Sequence, residues 1–372
     1  MITNKKRIKM FEPVIEDEDI EAVVKALRSG WLAHGPEVEA FEKEFAEYIG
    51  VKYAAAVSNG TVALMLALKA LGIGPEDVVL VPDYTFIASA TSVLMAGGRP
   101  EFVDVEPDTF NIDVEDMVSK ISEKVRAVIV VHLFGHPADI KAVTEIARDH
   151  KLLVVEDAAQ AHGAEAYGKK VGSFGDVSVF SFYATKNMTT GEGGIVVSDQ
   201  REVIEKVKLL RNHGQIARYI HAELGGNYRL TSIQAALGRV QLRKLDKMNA
   251  IRRTIAQKYN SMLNGLDLLL TPVEKAWAKH VYHVYALRFK DSMCRDAVYN
   301  CMLNKGIEVA IHYPLPLHKQ PLFKSMLHTK ECCVNASQLA ATELSLPMNP
   351  KLTDDDVNYI VNALKECVET HC

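Results

Sequence analysis

Short runs of apolar, mainly β-branched residues, separated by longer stretches with helical periodicity, restrict the folds open to this chain more than any other feature. The runs lie at residues 78–81 (VVLV), 128–133 (VIVVHL), 152–157 (LLVVED), 177–182 (VSVFSF) and 195–198 (IVVS). Between two of them, residues 139–150 place apolar side chains three and four positions apart, as in an amphipathic helix. Nearly continuous apolar strands separated by helices indicate a mostly parallel sheet covered on both faces. The first two-thirds of the chain is therefore predicted to be an α/β domain.

The pattern changes after Thr231, where a long stretch of helical periodicity begins and continues to Asn264. Beyond it the chain mixes strand-like runs, a turn-rich segment (HYPLPLHKQPL) and a closing helix that follows Thr353. We predict an N-terminal arm and large domain over residues 1–245, and a smaller α+β domain over residues 246–372.

The composition argues against several classes of function. The chain has 372 residues, of which 48% are hydrophobic and 24% charged, and its formal net charge is −4 at pH 7. These values support a large buried core and give no basic field for nucleic acid or an anionic membrane. No apolar stretch has the length of a signal-peptide core or a membrane span. We expect a cytoplasmic protein that acts on small molecules, without nucleic-acid or membrane partners.

The cysteines lie in the last third of the chain, and their spacing is not that of a metal site. They are Cys294, Cys301, Cys332, Cys333, Cys367 and Cys372. No pair has CxxC spacing or a nearby histidine pattern, so no metal ligand is predicted. Reduced, partly buried thiols are the expectation for these residues.

Polar residues at the start of one predicted helix suit a phosphate group. Ser58-Asn59-Gly60-Thr61 precedes the helical pattern VALMLALKAL. A glycine and a hydroxyl at a helix N-terminus, with its free backbone N–H groups, form a ready anion site. The alternative is an ordinary helix cap, because Ser, Thr and Asn are common there.

Two charged residues lie at the ends of predicted strands. Asp157 closes the run LLVVED, where a buried carboxylate needs a cation or a hydrogen-bond donor. Lys186 follows VSVFSF and precedes the glycine-rich loop TTGEGG, where burial would lower its pKa and make it a nucleophile. A structural ion pair or cap is the alternative for Asp157, and a lysine that extends to water is the alternative for Lys186.

One cofactor uses a phosphate site, a carboxylate and a lysine together. Pyridoxal 5'-phosphate (PLP) has a phosphate, an aldehyde that condenses with lysine, and a ring nitrogen whose protonation makes the ring an electron sink. The three sequence features therefore predict a PLP enzyme.

The chain resembles the DegT/DnrJ/EryC1/StrS family of sugar aminotransferases, which are fold-type I PLP enzymes. The resemblance extends over nearly the whole chain. It is carried, in order, by GPEVEAFEKEFAEYIGV, SNGTVALMLALKALGIG, FVDVEPDTFNID, VHLFGHPADI, EDAAQAHGAE, SFYATKNMTTGEGG, NYRLTSIQAALG, HYPLPLHKQP and LSLPMNPKLTDDDV.

The resemblance assigns roles around the cofactor ring. Lys186 would form the Schiff base with PLP and move the proton between substrate and cofactor. Asp157 would pair with the ring nitrogen, and Gln160 would reach the ring hydroxyl. Phe86, in DYTFIASA, would stack on the ring, and a simple core phenylalanine is the alternative.

The resemblance also implies how the phosphate is held and how the chain assembles. Gly60, Thr61 and Ser181 would bind the phosphate from one subunit. Asn227, in NYRL, would reach it from a second subunit. Such a shared site implies a homodimer.

The implied reaction moves the amino group of L-glutamate to a keto group of a nucleotide-linked deoxysugar. The loop TTGEGG is similar to that of members that aminate C4, although many of those have His where this chain has Tyr183. Further residues in family motifs would contact the substrate. They are Tyr183, Glu192, Arg229, His312, Tyr313 and His318. Packing within a turn is the alternative for Tyr313.

Three other functions fit parts of the resemblance. Family dehydratases replace the Schiff-base lysine with histidine, and this chain keeps Lys186. A regulatory protein could keep the fold and the cofactor without turnover, although Lys186, Asp157 and Gln160 together disfavour it. The third alternative is an aminotransferase that acts on a keto-inositol.

Overall fold

The structure, a computed structural model, describes residues 7–329 and 331–372. The helices are α1 (Asp17–Ser29), α2 (Pro36–Ile49), α3 (Gly60–Ala70), α4 (Ala88–Ala96), α5 (Val114–Ser119), α6 (Ile140–His150), α7 (Arg201–Leu210), α8 (Ser232–Leu263), α9 (Ser292–Asn304), α10 (Pro321–Leu327), α11 (Val334–Thr342) and α12 (Asp354–His371), with 3₁₀ turns at Leu133–Gly135 and Leu317–Lys319. The strands are β1 (Tyr53–Val57), β2 (Val78–Pro82), β3 (Arg99–Val103), β4 (Val125–Val131), β5 (Leu153–Asp157), β6 (Glu165–Ala166), β7 (Lys169–Lys170), β8 (Val177–Ser181), β9 (Gly194–Ser198), β10 (Gln215–Ala217), β11 (Ile220–His221), β12 (Leu269–Leu270), β13 (Ala278–Lys279), β14 (Tyr285–Phe289) and β15 (Glu343–Leu346).

The largest sheet has seven strands in the order β1-β9-β8-β5-β4-β2-β3. Strand β9 runs antiparallel to both of its neighbours, and the remaining pairs are parallel. The prediction of an α/β fold with a mostly parallel sheet is confirmed. The two edge strands, β1 and β3, were not predicted. Their sequences, YAAAV and RPEFV, are rich in weak strand formers or contain a proline, which a sheet tolerates at its edge.

Apolar side chains cover both faces of this sheet. Successive residues of a strand point to opposite faces, so Val154 and Val155 of β5 belong to different core clusters. One cluster contains residues of α3, and the other contains residues of α2 and α6. This double coverage explains why the strands have continuous apolar sequences.

Helix α8 connects the large sheet to the C-terminal part of the chain. A capping box between Thr231 and Gln234 begins it, and it continues without a break through the predicted boundary at residues 245/246. Its last turns pack in a third core cluster with β14 and α12. Within residues 7–329 and 331–372, no helix combines the length and apolar character needed to cross a bilayer.

The expectation of six reduced cysteines was wrong for four of them. Disulfides join Cys294 to Cys372 and Cys301 to Cys367, with Cα–Cα distances of 5.2 and 5.9 Å. Helices α9 and α12 pack antiparallel, which brings together cysteines that lie 78 and 66 residues apart in sequence. Sequence spacing carries no sign of such a pairing, because the tertiary packing of two helices creates it. Cys332 and Cys333 are free, as expected.

Candidate active site

A cavity of about 720 Å³ lies at the carboxyl ends of β5 and β8, beside the N-terminus of α3. This is the edge of an open α/β sheet at which ligands bind. Most of the residues predicted for the site line it. They are Gly60, Thr61, Phe86, Asp157, Gln160, Ser181, Tyr183, Lys186, Glu192, His312 and Tyr313.

Lys186 lines the cavity from the loop that follows β8. Burial lowers the pKa of its amine to about 8, against the opposing attraction of the Asp157 carboxylate. A larger fraction of this amine is therefore neutral near physiological pH than for an ordinary lysine. The side chain does not extend into open solvent, which was the alternative for this residue.

Asp157 ends β5 and faces the same cavity. Its carboxylate accepts hydrogen bonds from the Ser89 hydroxyl (2.8 Å) and the Ala159 N–H (3.2 Å). Burial raises the pKa of Asp157, and these two donors only partly oppose the rise. Burial favours the protonated, neutral form of this carboxyl group. A cationic group of a ligand would stabilise its charged form.

Glu156 precedes Asp157 but points to the opposite face of the sheet, because side chains alternate along a strand. Its carboxylate lies 3.0 Å from the His132 Nε2. It also accepts hydrogen bonds from the backbone N–H groups of Gly172, Phe174 and Gly175 and from the Ser178 hydroxyl. Burial would raise the pKa of Glu156, but these partners hold it below its usual value. Glu156 therefore anchors the loop before β8, while Asp157 serves the cavity.

One wall of the cavity is formed by Gln160, Tyr313 and Phe86. The Gln160 amide donates to the Tyr313 hydroxyl at 3.1 Å, and its oxygen accepts from the Phe134 N–H at 2.8 Å. The Phe86 ring lies 6.1 Å from the Tyr313 ring and is 54% exposed. Phe86 is therefore not a core residue, and its predicted stacking on a ligand ring stays a prediction.

The N-terminus of α3 forms a tight cradle against β8 and β9. Asn59 caps the helix by accepting from the Val62 N–H at 2.9 Å, so the cap that was the alternative for this motif is present. Glycine is needed beside it, because a Cβ on Gly60 would lie 2.7 Å from the Cβ of Ser181. A Cβ on Gly194 would lie 2.5 Å from the Asn59 carbonyl. The backbone thus approaches closely where the first helical N–H groups face the cavity.

Three predicted residues lie outside the cavity of the single chain. Asn227 is exposed, and the Arg229 guanidinium donates to the Asn212 side chain at 2.5 Å. His318 is 1% exposed and its Nδ1 lies 2.5 Å from the Asp83 carboxylate, so this ring nitrogen contacts the protein and does not face the cavity. The substrate contacts of Arg229 and His318 stay predictions.

Residues 13–365 match the DegT/DnrJ/EryC1/StrS aminotransferase family. The chain belongs to this family. It is 37% identical to GDP-perosamine synthase of Vibrio cholerae, over 96% of this chain and 98% of the relative. It is 38% identical to the dTDP-3-amino-3,4,6-trideoxy-alpha-D-glucose transaminase of Streptomyces venezuelae, over 94% of this chain and 91% of the relative. The fold is that of Spr1654 from Streptococcus pneumoniae in its PLP form, with a TM-score of 0.92, 28% identity, and coverage of 99% of this chain and 100% of that one.

Membership in this aminotransferase family implies dependence on PLP, and the cavity fits that cofactor. The cradle at Gly60 offers helix N-terminal amides and the Ser181 hydroxyl to a phosphate. Asp157 offers a buried carboxylate that a protonated ring nitrogen would satisfy. Lys186 offers an amine with a lowered pKa in the same cavity.

Sequence reasoning missed several residues that line this aminotransferase cavity. They include Phe11, Thr85, Met95, Thr185 and His283. The His283 ring stacks on Phe11 at 5.6 Å, and its Nδ1 lies 3.1 Å from the Asn187 side-chain oxygen. His283 could have been found from the sequence, because a histidine inside the apolar run VYHVYALRF indicates a buried polar side chain. Phe11 had no such signal, because its contact depends on where the N-terminal segment crosses the fold.

Proposed function

We propose that this protein transfers the amino group of L-glutamate to a keto group, at C4, of a nucleotide-linked keto-deoxysugar. The observation that carries the proposal is the convergence of Lys186, Asp157 and the Gly60 cradle on one cavity. The cavity volume of about 720 Å³ is large enough for a cofactor and part of a substrate. Relatives named for GDP-linked and dTDP-linked amino sugars support a nucleotide sugar as the acceptor.

The side chains divide the work of proton transfer and charge stabilisation. When bound, PLP supplies an electron sink for the negative charge that forms at the substrate carbon. Lys186 takes the proton from that carbon and returns it, and a pKa of about 8 suits a group that must do both near neutral pH. The negative charge of Asp157 would keep the ring nitrogen protonated, whereas a neutral hydrogen-bond acceptor in its place would not. Hydrogen bonds with the Phe134 N–H and the Tyr313 hydroxyl hold the Gln160 amide in a fixed orientation.

The choice of C4 rests on the sequence of one loop at the mouth of the cavity. Tyr183 is 46% exposed, and Glu192 is exposed in the loop TTGEGG, which resembles that of C4-aminating members. The backbone of this loop is fixed, because the Glu192 carbonyl accepts from the Thr190 hydroxyl and the Gln234 amide at 2.6 Å each. Tyr183 and Glu192 can therefore contact a sugar that enters above Lys186.

We propose that the active protein is a homodimer with shared sites. Asn227 is exposed and outside the cavity of its own chain, as expected for a residue that serves a second subunit. The neighbouring hairpin of β10 and β11 and the residues just after it expose large apolar side chains, including Tyr219 (78% exposed), Ile220 (58%) and Leu224 (87%). Such a cluster indicates a contact surface for another chain.

The decisive experiment separates the two half-reactions. The protein is loaded with PLP, and its visible absorption is recorded before and after L-glutamate, then after 2-oxoglutarate. The yellow band should bleach with glutamate and return with 2-oxoglutarate. Product formation is then compared for a 4-keto nucleotide sugar, a 3-keto nucleotide sugar and a keto-inositol, and turnover of the 4-keto substrate is expected.

Matched lysine variants complete this test. Lys186→Ala should abolish turnover without unfolding the protein, whereas Lys141→Ala, at an exposed lysine of α6, should leave it unchanged. A band that glutamate does not move would refute the proposed donor. Turnover of only the 3-keto sugar or only the inositol would refute the proposed acceptor.

A further inference from the structure

A cluster of four potential metal ligands lies outside the PLP cavity. Asp83, His318, Cys332 and Cys333 each offer one ligand atom, and these atoms lie within 4.8 Å of one another. Three of the four residues are buried and Cys332 is half-buried. We propose that this cluster binds a zinc ion, through the Nε2 of His318 and the thiolates of Cys332 and Cys333, with Asp83 as a positioning residue.

The orientation of His318 supports a ligand role. Its Nε2 is fully buried and makes no hydrogen bond to the residues that the structure describes, although the exposed Glu331 carboxylate lies 3.5 Å from it. The opposite ring nitrogen lies 2.5 Å from the Asp83 carboxylate, which also accepts from the His318 backbone N–H at 2.7 Å. A carboxylate that holds one imidazole nitrogen and directs the other is the usual arrangement around metal-binding histidines.

The two cysteines supply the soft ligands at the free end of the imidazole. Their sulfur atoms are 2.7 Å apart, so a modest side-chain rotation would separate them enough to share one ion. The Glu331 carboxylate lies 3.5 Å from the His318 Nε2 and can complete four-coordination, as can a water molecule. Thiolate and imidazole together favour zinc over magnesium or calcium.

Protons must leave when the ion binds. Metal ligation needs both thiols deprotonated and a lone pair on the imidazole nitrogen. Binding is therefore coupled to pH and to reduction of the cysteines.

The position of the cluster indicates what the ion does. Asp83 follows β2, His318 lies in the turn Leu317–Lys319, and the cysteines precede α11. An ion here would join three segments that are distant in sequence. The residue after Asp83, Tyr84, donates to the His312 carbonyl at 2.6 Å and accepts from the Tyr313 N–H at 2.9 Å. The proposed zinc cluster is therefore linked through Tyr84 to the wall of the PLP cavity that contains Tyr313.

The test uses the full chain, stripped of metal by a chelator under conditions that keep Cys332 and Cys333 as thiols and the two disulfides intact, and titrates it with Zn²⁺ alone. We expect one zinc per chain, proton release on binding, and an absorption band from thiolate coordination when Co²⁺ replaces zinc. Cys332→Ser should weaken binding by at least about 100-fold, and Asp83→Asn by about 10- to 100-fold with the Co²⁺ band retained. The control is His328→Ala, an exposed histidine nearby, which should bind like the wild type.

A second measurement needs no variant and therefore does not depend on folding of the mutants. Zinc should protect Cys332 and Cys333 from alkylation, and a chelator should restore the reaction. Three results would overturn the proposal: no stoichiometric zinc in the reduced protein, zinc binding that the Cys332 and Asp83 substitutions leave unchanged, or a Cys332–Cys333 disulfide that zinc and reductant do not alter.

Discussion

At the scale of single residues, the site depends on two neighbouring carboxylates with opposite surroundings. Glu156 has five polar partners on one face of the sheet, and they keep it charged despite burial. Asp157 has two, and burial raises its pKa. The chain thus satisfies one charge internally and leaves the other for a ligand. This asymmetry fits the proposed role of Asp157 beside a cationic ring nitrogen.

The lowered pKa of Lys186 gives a prediction for the protein without cofactor. Only the neutral amine attacks an aldehyde, so covalent trapping of PLP on Lys186 should increase with pH and reach half its maximum near pH 8. The measurement is borohydride trapping over a pH series, with peptide mapping. Asp157 favours the charged amine, so Asp157→Asn should move the midpoint to lower pH. A midpoint near that of an ordinary lysine, at about pH 10.4, would contradict the assignment of burial as the cause.

At the scale of elements, the cradle requires a close approach between α3 and β8. Gly60→Ala places a Cβ 2.7 Å from the Ser181 Cβ, and relief of this clash must displace the helix N-terminus or β8. Overpacking of this kind costs about 1–3 kcal/mol, which corresponds to a loss of PLP affinity of roughly 5- to 150-fold if the whole cost falls on the binding site. The matched control is Gly74→Ala, where the added Cβ has no atom within 4 Å. Equal PLP dissociation constants for the two variants would argue against the cradle.

The disulfides between α9 and α12 should stabilise the C-terminal part of the chain. They close loops of 66 and 78 residues, and cross-links of this length contribute about 2–4 kcal/mol each. Reductant should therefore lower the thermal midpoint by roughly 5–10 °C. A variant with Ser at these four positions should not respond to reductant. Thiol titration of the denatured, unreduced protein should find only Cys332 and Cys333, and six reactive thiols would contradict the pairing.

At the scale of the whole molecule, periodicity predicted the elements that pack by a regular pattern. The central strands and α6 were predicted because buried strands and amphipathic helices have distinct periods. Contacts between distant segments carried no such pattern. Phe11 lines the cavity, Asp83 meets His318, and Cys301 meets Cys367 only because tertiary packing brings them together. The residues predicted to bind PLP were the exception, although they are distant in sequence. The cofactor needs a phosphate site at a helix start and a carboxylate and a lysine at strand ends, and these three features can be read from the sequence.

In the proposed dimer, assembly completes the site, and Asn227 does not line the cavity of its own chain. Subunit mixing tests this directly. Lys186→Ala removes the amine from one site, and Asn227→Asp should place a carboxylate against the phosphate of the partner site. Each variant alone is expected to be inactive, for different reasons. In a shared-site dimer, however, a mixed dimer contains one site in which both groups are intact.

Random assortment of equal amounts makes half of the dimers mixed, so activity should recover to about one quarter of the wild-type value. The matched control mixes Lys186→Ala with Asp157→Ala. These residues line the same cavity of one chain, so every site in a mixed dimer still lacks one of them and no activity should return. Recovery in the first mixture but not in the second requires that Asn227 act across the subunit boundary. Recovery in neither would mean that each chain completes its own site, and the exposed apolar hairpin of β10 and β11 would then need another partner.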